Sequence, residues 1–164
     1  MCCSRWWMTV GTVLAGLAVV TGAFAAHGLD DTLIRQYGDQ PARTIAGMEV
    51  PASWKYLRDF QTAATYQMYH ALALVAVGLL TLFIGDRRSL QVAAWSFLGG
   101  IVLFSGSLYV LVLTGMTWLG RVTPFGGLLF LVGWVAFAMA ACPCGSGSPR
   151  NGSPAEPVKL NTPD

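Results

Sequence analysis

Four stretches of this chain contain no Asp, Glu, Lys or Arg, and each is long enough to cross a lipid bilayer. They are residues 6–26, 62–84, 90–113 and 124–141. About 20 residues at a rise of about 1.5 Å each cover the roughly 30 Å of hydrocarbon in a membrane. The sequence therefore predicts an all-α, polytopic membrane protein, in which a bundle of four transmembrane helices occupies residues 1–141.

The amino-acid composition identifies lipid as the medium around these helices. Hydrophobic residues make up 54% of the 164 positions and charged residues 11%, whereas soluble domains are about one quarter charged. The ten Lys and Arg residues are scattered and the net charge is only +2, which argues against a nucleic-acid partner. The lipid bilayer is thus the first predicted partner.

The first apolar segment has a second interpretation, as a cleaved signal peptide. Arg5 precedes it, and Ala23 and Ala25 have the spacing of a cleavage site. However, the segment is long for a signal core, and small residues recur on one helical face, as close helix packing requires. These residues are Gly11, Ala15, Ala18, Gly22 and Ala26. We therefore expect the segment to be retained as a span.

The longest polar connection, residues 27–61, is predicted to lie at the membrane surface. Asp30 or Asp31 can cap a short helix there, and Ser53 can cap the next helix. This next helix is amphipathic and is expected to lead directly into the second span. The part before Pro51 fits an ordinary solvated loop equally well.

Composition marks both ends of the last span. Thr123 followed by Pro124 is typical of a helix cap and first turn, so the fourth span should begin there. After residue 141 the chain is rich in Pro, Gly, Ser and Asn and has almost no bulky apolar residues. Such a segment cannot bury enough surface to order itself, and residues 142–164 are predicted to form a disordered tail.

Polar residues within the second span are predicted to face other helices. Several of them share one side of a helix around His70, because residues three and four apart are neighbours on a helix surface. Unpaired polar groups in hydrocarbon cost several kcal/mol, so this stripe should meet polar groups of the third span. The predicted intramembrane polar cluster comprises Tyr66, Gln67, Tyr69, His70, Ser105 and Tyr109.

Four ordered motifs carry a family resemblance. They are GAFAAHGL at 22–29, FQTAATYQMYHALAL at 60–74, LFSGSLYVLVLTG at 103–115 and GRVTPFGGLLFLVGW at 120–134. Together they resemble the domain-of-unknown-function 423 family of small membrane proteins, which includes bacterial inner-membrane proteins and a human transmembrane protein. The resemblance implies a four-span integral membrane protein of uncharacterised biochemical activity, located in a bacterial plasma (inner) membrane. Residues 39–53 look longer than the first loop usual in the family, and the Cys- and Pro-rich tail lies outside its pattern.

Three functions are compatible with these residues. The first is a non-enzymatic helical bundle, a packing or assembly partner for a second copy or for a larger membrane complex, with the polar cluster as glue between helices. The second is a conduit for a proton or small solute around His70, whose side chain changes charge near neutral pH. The third is a haem or metal site held by His27, a second candidate polar position, together with His70.

The sequence contains no pattern typical of an enzyme. It has no nucleophilic triad, no phosphate-binding glycine loop and no paired acid and base. Enzymatic activity is therefore not expected, and neither is a cofactor or a bound metal.

Both termini are predicted to be cytoplasmic. Arg87 and Arg88 occupy the short turn between the second and third spans, and they outweigh the single Arg121 of the other short loop. The cysteines near the two termini then share a reducing compartment, where they are thiols or acylated. The alternative is a four-thiolate zinc site. These cysteines are Cys2, Cys3, Cys142 and Cys144.

Overall fold

The computed structural model describes residues 2–142, with side chains from residue 4 onward. The elements are α1 (Cys2–His27), α2 (Asp30–Tyr37), β1 (Arg43–Ile45), β2 (Met48–Val50), α3 (Ala52–Ile84), α4 (Arg88–Gly100), α5 (Ser107–Thr114) and α6 (Thr123–Ala141). A π-helical turn, Ile101–Gly106, joins α4 to α5, and a 3₁₀ helix, Thr117–Arg121, precedes α6.

Within residues 2–142, four helices are long and apolar enough to cross a membrane. These first to fourth spans are Ser4–His27, Ala52–Ile84, Arg88–Thr114 and Thr117–Ala141. The predicted all-α, four-span architecture is therefore confirmed. The predicted lead-in and the second span form one continuous helix of 33 residues, which at about 1.5 Å per residue is longer than the hydrocarbon of a membrane is thick.

The predicted helix caps are wrong. Asp30 and Thr123 are themselves the first residues of α2 and α6, and α3 begins at Ala52, before Ser53. No side-chain cap bond forms at any of these three helix starts. Packing and other bonds decide the boundaries, since the Thr123 hydroxyl is instead 2.9 Å from the hydroxyl of Ser107.

The segment before Pro51 contains a β-hairpin, where the sequence indicated only a loop or surface segment. Strands β1 and β2 are antiparallel, and Ile45 pairs with Met48. Ala46 and Gly47 form the turn with φ values of 50° and 81°, the positive angles that a two-residue hairpin turn requires. Alanine rarely adopts such a φ. With Ala-Gly in place of the usual Asn-Gly or Asp-Gly, the sequence does not signal this turn.

The buried residues form two clusters, one in the body of the bundle and one beneath α2. The first cluster joins all four spans around residues such as Trp7, Leu74, Phe97 and Phe130. The second cluster places α2 on the ends of the second and third spans. Its members include Leu29, Leu33, Tyr37, Tyr56, Phe60 and Val112. Helix α2 is thus part of the folded domain and not a freely solvated loop.

The first and second spans run antiparallel and approach each other closely through small residues. Gly11 faces the backbone of Ala71, and Gly78 faces that of Ser4. Within the predicted small-residue face, Gly11 and Ala18 are buried. Backbones approach this closely only where at least one side chain is absent or very small.

A hydrogen bond from Tyr37 connects the short helix α2 to the third span. Its hydroxyl donates a 2.8 Å hydrogen bond to the carbonyl oxygen of Val112, and its ring stacks on Tyr56 with centroids 4.0 Å apart. Burial, and to a lesser degree the neighbouring Tyr56, raise the pKa of Tyr37. The neutral hydroxyl is therefore the form that the fold stabilises.

We expect Tyr37→Phe to lower the free energy of unfolding by about 1 kcal/mol, because a buried carbonyl loses its donor. The raised pKa means that the contribution of the hydroxyl is present below pH about 10 and is lost as the pH rises through the folded pKa. Thermal unfolding in mild detergent at neutral and alkaline pH measures both effects. Tyr69→Phe is the matched control, since Tyr69 is 59% exposed, and an equal loss in both variants would contradict the prediction.

Candidate functional site

The polar residues of the second span divide between the interior and the surface of the bundle. Gln67 and His70 are each only 5% exposed, whereas Tyr66 and Tyr69 are 40% and 59% exposed. The expected inward-facing stripe is therefore narrower than predicted. The cause is geometric, because successive residues on a helix point about 100° apart and only one side of α3 faces the other spans.

His70 is held as a neutral imidazole by two hydrogen bonds. The indole N–H of Trp134 lies 3.2 Å from His70 Nε2, and because an indole N–H can only donate, Nε2 is the acceptor. Nδ1 then carries the proton and donates to the carbonyl oxygen of Tyr66, 2.7 Å away. The ring also stacks on Phe130, with centroids 3.4 Å apart and planes 8° from parallel. His70 thereby joins the second span to the fourth.

Gln67 links three spans through both ends of its amide. Its Nε2 donates to the carbonyl oxygen of Leu14 in the first span at 2.9 Å, and its Oε1 accepts from the Tyr109 hydroxyl of the third span at 3.0 Å. The same Tyr109 hydroxyl is 3.0 Å from the hydroxyl of Thr21. The polar cluster thus reaches back to the first span at two points.

Two further contacts add polar links between the spans. Ser107 and Thr123 join the third and fourth spans through their hydroxyls. The Trp7 indole donates to Gln91 Oε1 at 3.3 Å, which joins the first span to the third. Each span is therefore tied to at least two others by a side-chain hydrogen bond.

Ser105 does not join this network. It lies in the π-helical turn and is fully buried, and its Oγ has no hydrogen-bond partner among the described residues. Ser105 was predicted to belong to the polar cluster, as a third-span group that could meet the polar stripe of the second span. Tyr109, which follows the turn, is a third-span residue that donates a hydrogen bond to Gln67 of the second span.

The two histidines do not share a site. Gln67 is level with Leu14 of the antiparallel first span, and His27 lies about 20 Å farther along that helix at about 1.5 Å per residue. His70 is one turn from Gln67 in the opposite direction, and His27 is exposed. A single metal or haem cannot take both residues as ligands. The alternative zinc site falls outside the described side chains, since it needs Cys2, Cys3 and Cys144.

A groove of about 600 Å³ lies beside His70 on the outside of the bundle, between the second and fourth spans. We refer to it as the lateral groove. Its lining residues are Tyr66, Tyr69, His70, Phe104, Pro124, Gly127, Leu128, Phe130, Leu131 and Trp134.

Sequence reasoning missed Trp134, Thr21 and the Leu14 carbonyl as members of the polar network. Trp134 is part of an apolar run, and its N–H was the available signal, because a tryptophan within a span needs a partner for that donor. Thr21 offered a weaker signal as a hydroxyl in the first span. A backbone carbonyl, such as that of Leu14, is present in every residue, so the sequence cannot indicate which one accepts a hydrogen bond.

Comparison with known proteins places the chain in a family. The sequence model of the family described as "Protein of unknown function (DUF423)" matches residues 21–127, a range that includes Gln67, His70 and Tyr109. No solved structure matches the chain.

Several relatives are named UPF0382 membrane protein. One from Staphylococcus epidermidis (strain ATCC 12228) is 41% identical over 133 residues, which cover 80% of this chain and 90% of the relative. One from Staphylococcus saprophyticus is 41% identical over 128 residues, covering 77% and 88%, and one from Staphylococcus aureus (strain USA300) is 40% identical over 133 residues, covering 80% and 90%. The family resemblance predicted from the four motifs is confirmed, and the chain belongs to the DUF423 family of membrane proteins.

Proposed function

We propose that this membrane protein is a non-enzymatic helical bundle that acts as a packing or assembly partner within the membrane. The observation that carries the proposal is that two buried polar side chains of the second span, Gln67 and His70, have hydrogen-bond partners inside the bundle. Both ring nitrogens of His70 and both ends of the Gln67 amide are engaged inside the bundle. Groups that are already paired in this way stabilise an arrangement of helices.

The hydrogen-bond directions favour this role over a proton conduit. A proton arriving at His70 Nε2 would have to displace the Trp134 N–H that already points at it. On the other side, the chain from Tyr109 through Gln67 ends on the backbone carbonyl of Leu14, which cannot pass a proton on. A relay needs groups that both accept and release protons.

The first span supplies an apolar surface for assembly. It packs mainly against the second span, and its outer face carries Val13, Leu17 and Val20, which are 57%, 50% and 64% exposed. A helix that packs mainly against one neighbour leaves most of its circumference to lipid or to another protein. We propose that a second copy of the chain or a larger membrane complex covers part of this face.

The same proposal includes a location and an orientation. The family relatives carry the name membrane protein, and we infer a bacterial plasma membrane with both termini in the cytoplasm. Arg87 and Arg88 then lie on the cytoplasmic side, as the positive-inside rule favours. The β-hairpin and α2 would lie on the opposite side.

Native mass spectrometry in mild detergent, together with proton flux into liposomes, tests the proposal. We expect a species heavier than the monomer and no pH-dependent flux. The double variant Leu17→Trp with Val20→Trp should dissociate that species, because the bulky rings would keep the partner from packing against the outer face of the first span. Val135→Trp is the matched control, since Val135 is 62% exposed on the fourth span.

Two results would contradict the assembly role. One is a protein that is strictly monomeric in nanodiscs and in detergent and that carries no other membrane protein with it when purified from its own membrane. The other is a proton flux that His70→Gln abolishes while the variant unfolds at the wild-type temperature, which would establish the conduit instead.

A further inference from the structure

The lateral groove opens toward the lipid. Pro124 and Trp134 both line it, so it extends about 15 Å along the fourth span at about 1.5 Å per residue, from one end of that helix toward its middle. Tyr69 and Leu131 lie at its rim and are 59% and 64% exposed. A molecule dissolved in the bilayer can therefore enter from the side without crossing the protein.

The inner wall of the groove consists largely of flat rings. Tyr66 stacks on Phe104 with centroids 4.8 Å apart, and His70 stacks on Phe130. Aromatic faces and edges gain most from another planar ring, through stacked or edge-to-face contact. Flexible acyl chains gain only ordinary apolar contact there, so the wall favours a ligand that contains a planar ring.

The polar groups of the groove define the complementary ligand further. Among the described residues, the hydroxyls of Tyr66 and Tyr69 have no hydrogen-bond partner, whereas both nitrogens of His70 are occupied. The ten lining residues include no Asp, Glu, Lys or Arg. The groove thus offers hydrogen-bond donors in a neutral environment, which suits an uncharged ligand that brings acceptors.

We propose that the lateral groove binds a neutral, membrane-dissolved lipid whose planar ring bears carbonyl oxygens, the chemistry of an isoprenoid quinone. The ring lies against the aromatic wall, its carbonyl oxygens accept from Tyr66 and Tyr69, and its apolar tail leaves through the open side into lipid. This binding site is independent of the assembly face, because that face lies on the first span and the groove lies between the second and fourth.

Binding of a decyl-substituted benzoquinone to the protein in lipid nanodiscs tests the proposal, with decylbenzene as the ligand that lacks carbonyl oxygens. We expect saturable binding of the quinone, at least about tenfold tighter than that of decylbenzene, as one to two net hydrogen bonds provide. Gly127→Leu should abolish it, because Gly127 lines the groove and a Cβ there meets nothing nearer than the Phe104 ring at 3.9 Å. The new side chain therefore fills the groove without displacing the bundle.

Two further variants make the result decisive. The double variant Tyr66→Phe with Tyr69→Phe keeps the rings and should lose about tenfold in affinity, and Gly16→Leu on the first span should leave affinity unchanged. The proposal is overturned if the wild-type protein shows no saturable binding, if decylbenzene binds equally well, or if Gly127→Leu and the double tyrosine variant both bind like the wild type. Equal competition by phospholipid alone would identify the groove as an acyl-chain contact and also overturn it.

Discussion

Gly11→Leu should detach the first span from the rest of the bundle. A Cβ atom at this position would lie 2.7 Å from the carbonyl oxygen of Ala71 and 2.9 Å from the backbone nitrogen of Val75. Both are backbone atoms of a long helix and cannot move aside as a side chain can. Overpacking of a well-filled contact costs about 1–3 kcal/mol and occasionally more, and here we expect at least about 3 kcal/mol, because the two helices would have to separate along their contact. The separation would also break the bond from Gln67 to the Leu14 carbonyl.

Gly16→Leu is the control for this variant, because it makes the same chemical change on the same helix. No atom of the chain lies within 4 Å of a Cβ built at Gly16, so the unfolding temperature of the monomeric variant should stay close to that of the monomeric wild type. Thermal unfolding of both variants in mild detergent, with limited proteolysis of the loop after α1, measures the difference. Equal destabilisation would mean that a leucine anywhere in this helix is harmful and that the Gly11 contact is not the cause.

His70→Leu should lower the free energy of unfolding by about 2 kcal/mol. The variant loses the acceptor for the Trp134 N–H, and hydrogen bonds between membrane helices are worth about 0.6–2 kcal/mol. It also loses the stacked contact with Phe130, and aromatic pairs contribute about 0.5–1.5 kcal/mol beyond the area they bury. Leucine has a similar volume, so neither a large cavity nor overpacking adds to the effect.

A double-mutant cycle isolates the hydrogen bond from the stacking. Trp134→Phe removes the donor, and we expect a loss of about 1 kcal/mol for this variant alone. If the bond is real, the combined variant loses less than the two single losses added together, because the same bond cannot be broken twice. Strict additivity in detergent unfolding would mean that the bond between Trp134 Nε1 and His70 Nε2 contributes nothing measurable.

The sequence predicted the spans well because hydrocarbon imposes a length and excludes charge, and both are visible in one chain. The burial of Gln67 and His70 followed from the same cost of polar groups in lipid. The partners of these residues did not follow, since which helices meet depends on the packing of the whole bundle. Trp134 and Thr21 lie far from His70 and Gln67 in the chain, and nothing local marks them as their neighbours.

The smaller errors have local physical causes. The caps at Asp30 and Ser53 failed because the buried Leu29 and the fixed backbone of Pro51 set where the helices begin. The hairpin was missed because Ala46 takes a φ value that favours glycine or asparagine. Ser105 was misplaced because an irregular turn within an apolar helix has no sequence signal as distinct as that of proline.

Because of the π-helical turn, the two halves of the third span present different sides to the neighbouring helices. Its i→i+5 bonding takes up about one extra residue, and one residue corresponds to about 100° of rotation about the helix axis. The half before the turn presents Phe97 to the fourth span, and the half after it presents Tyr109 to the first and second spans. Residues 101–106 thus rotate the second half of the third span relative to the first half. Deleting one of them should turn Tyr109 out of reach of Gln67, while the contacts of Phe97 stay in place.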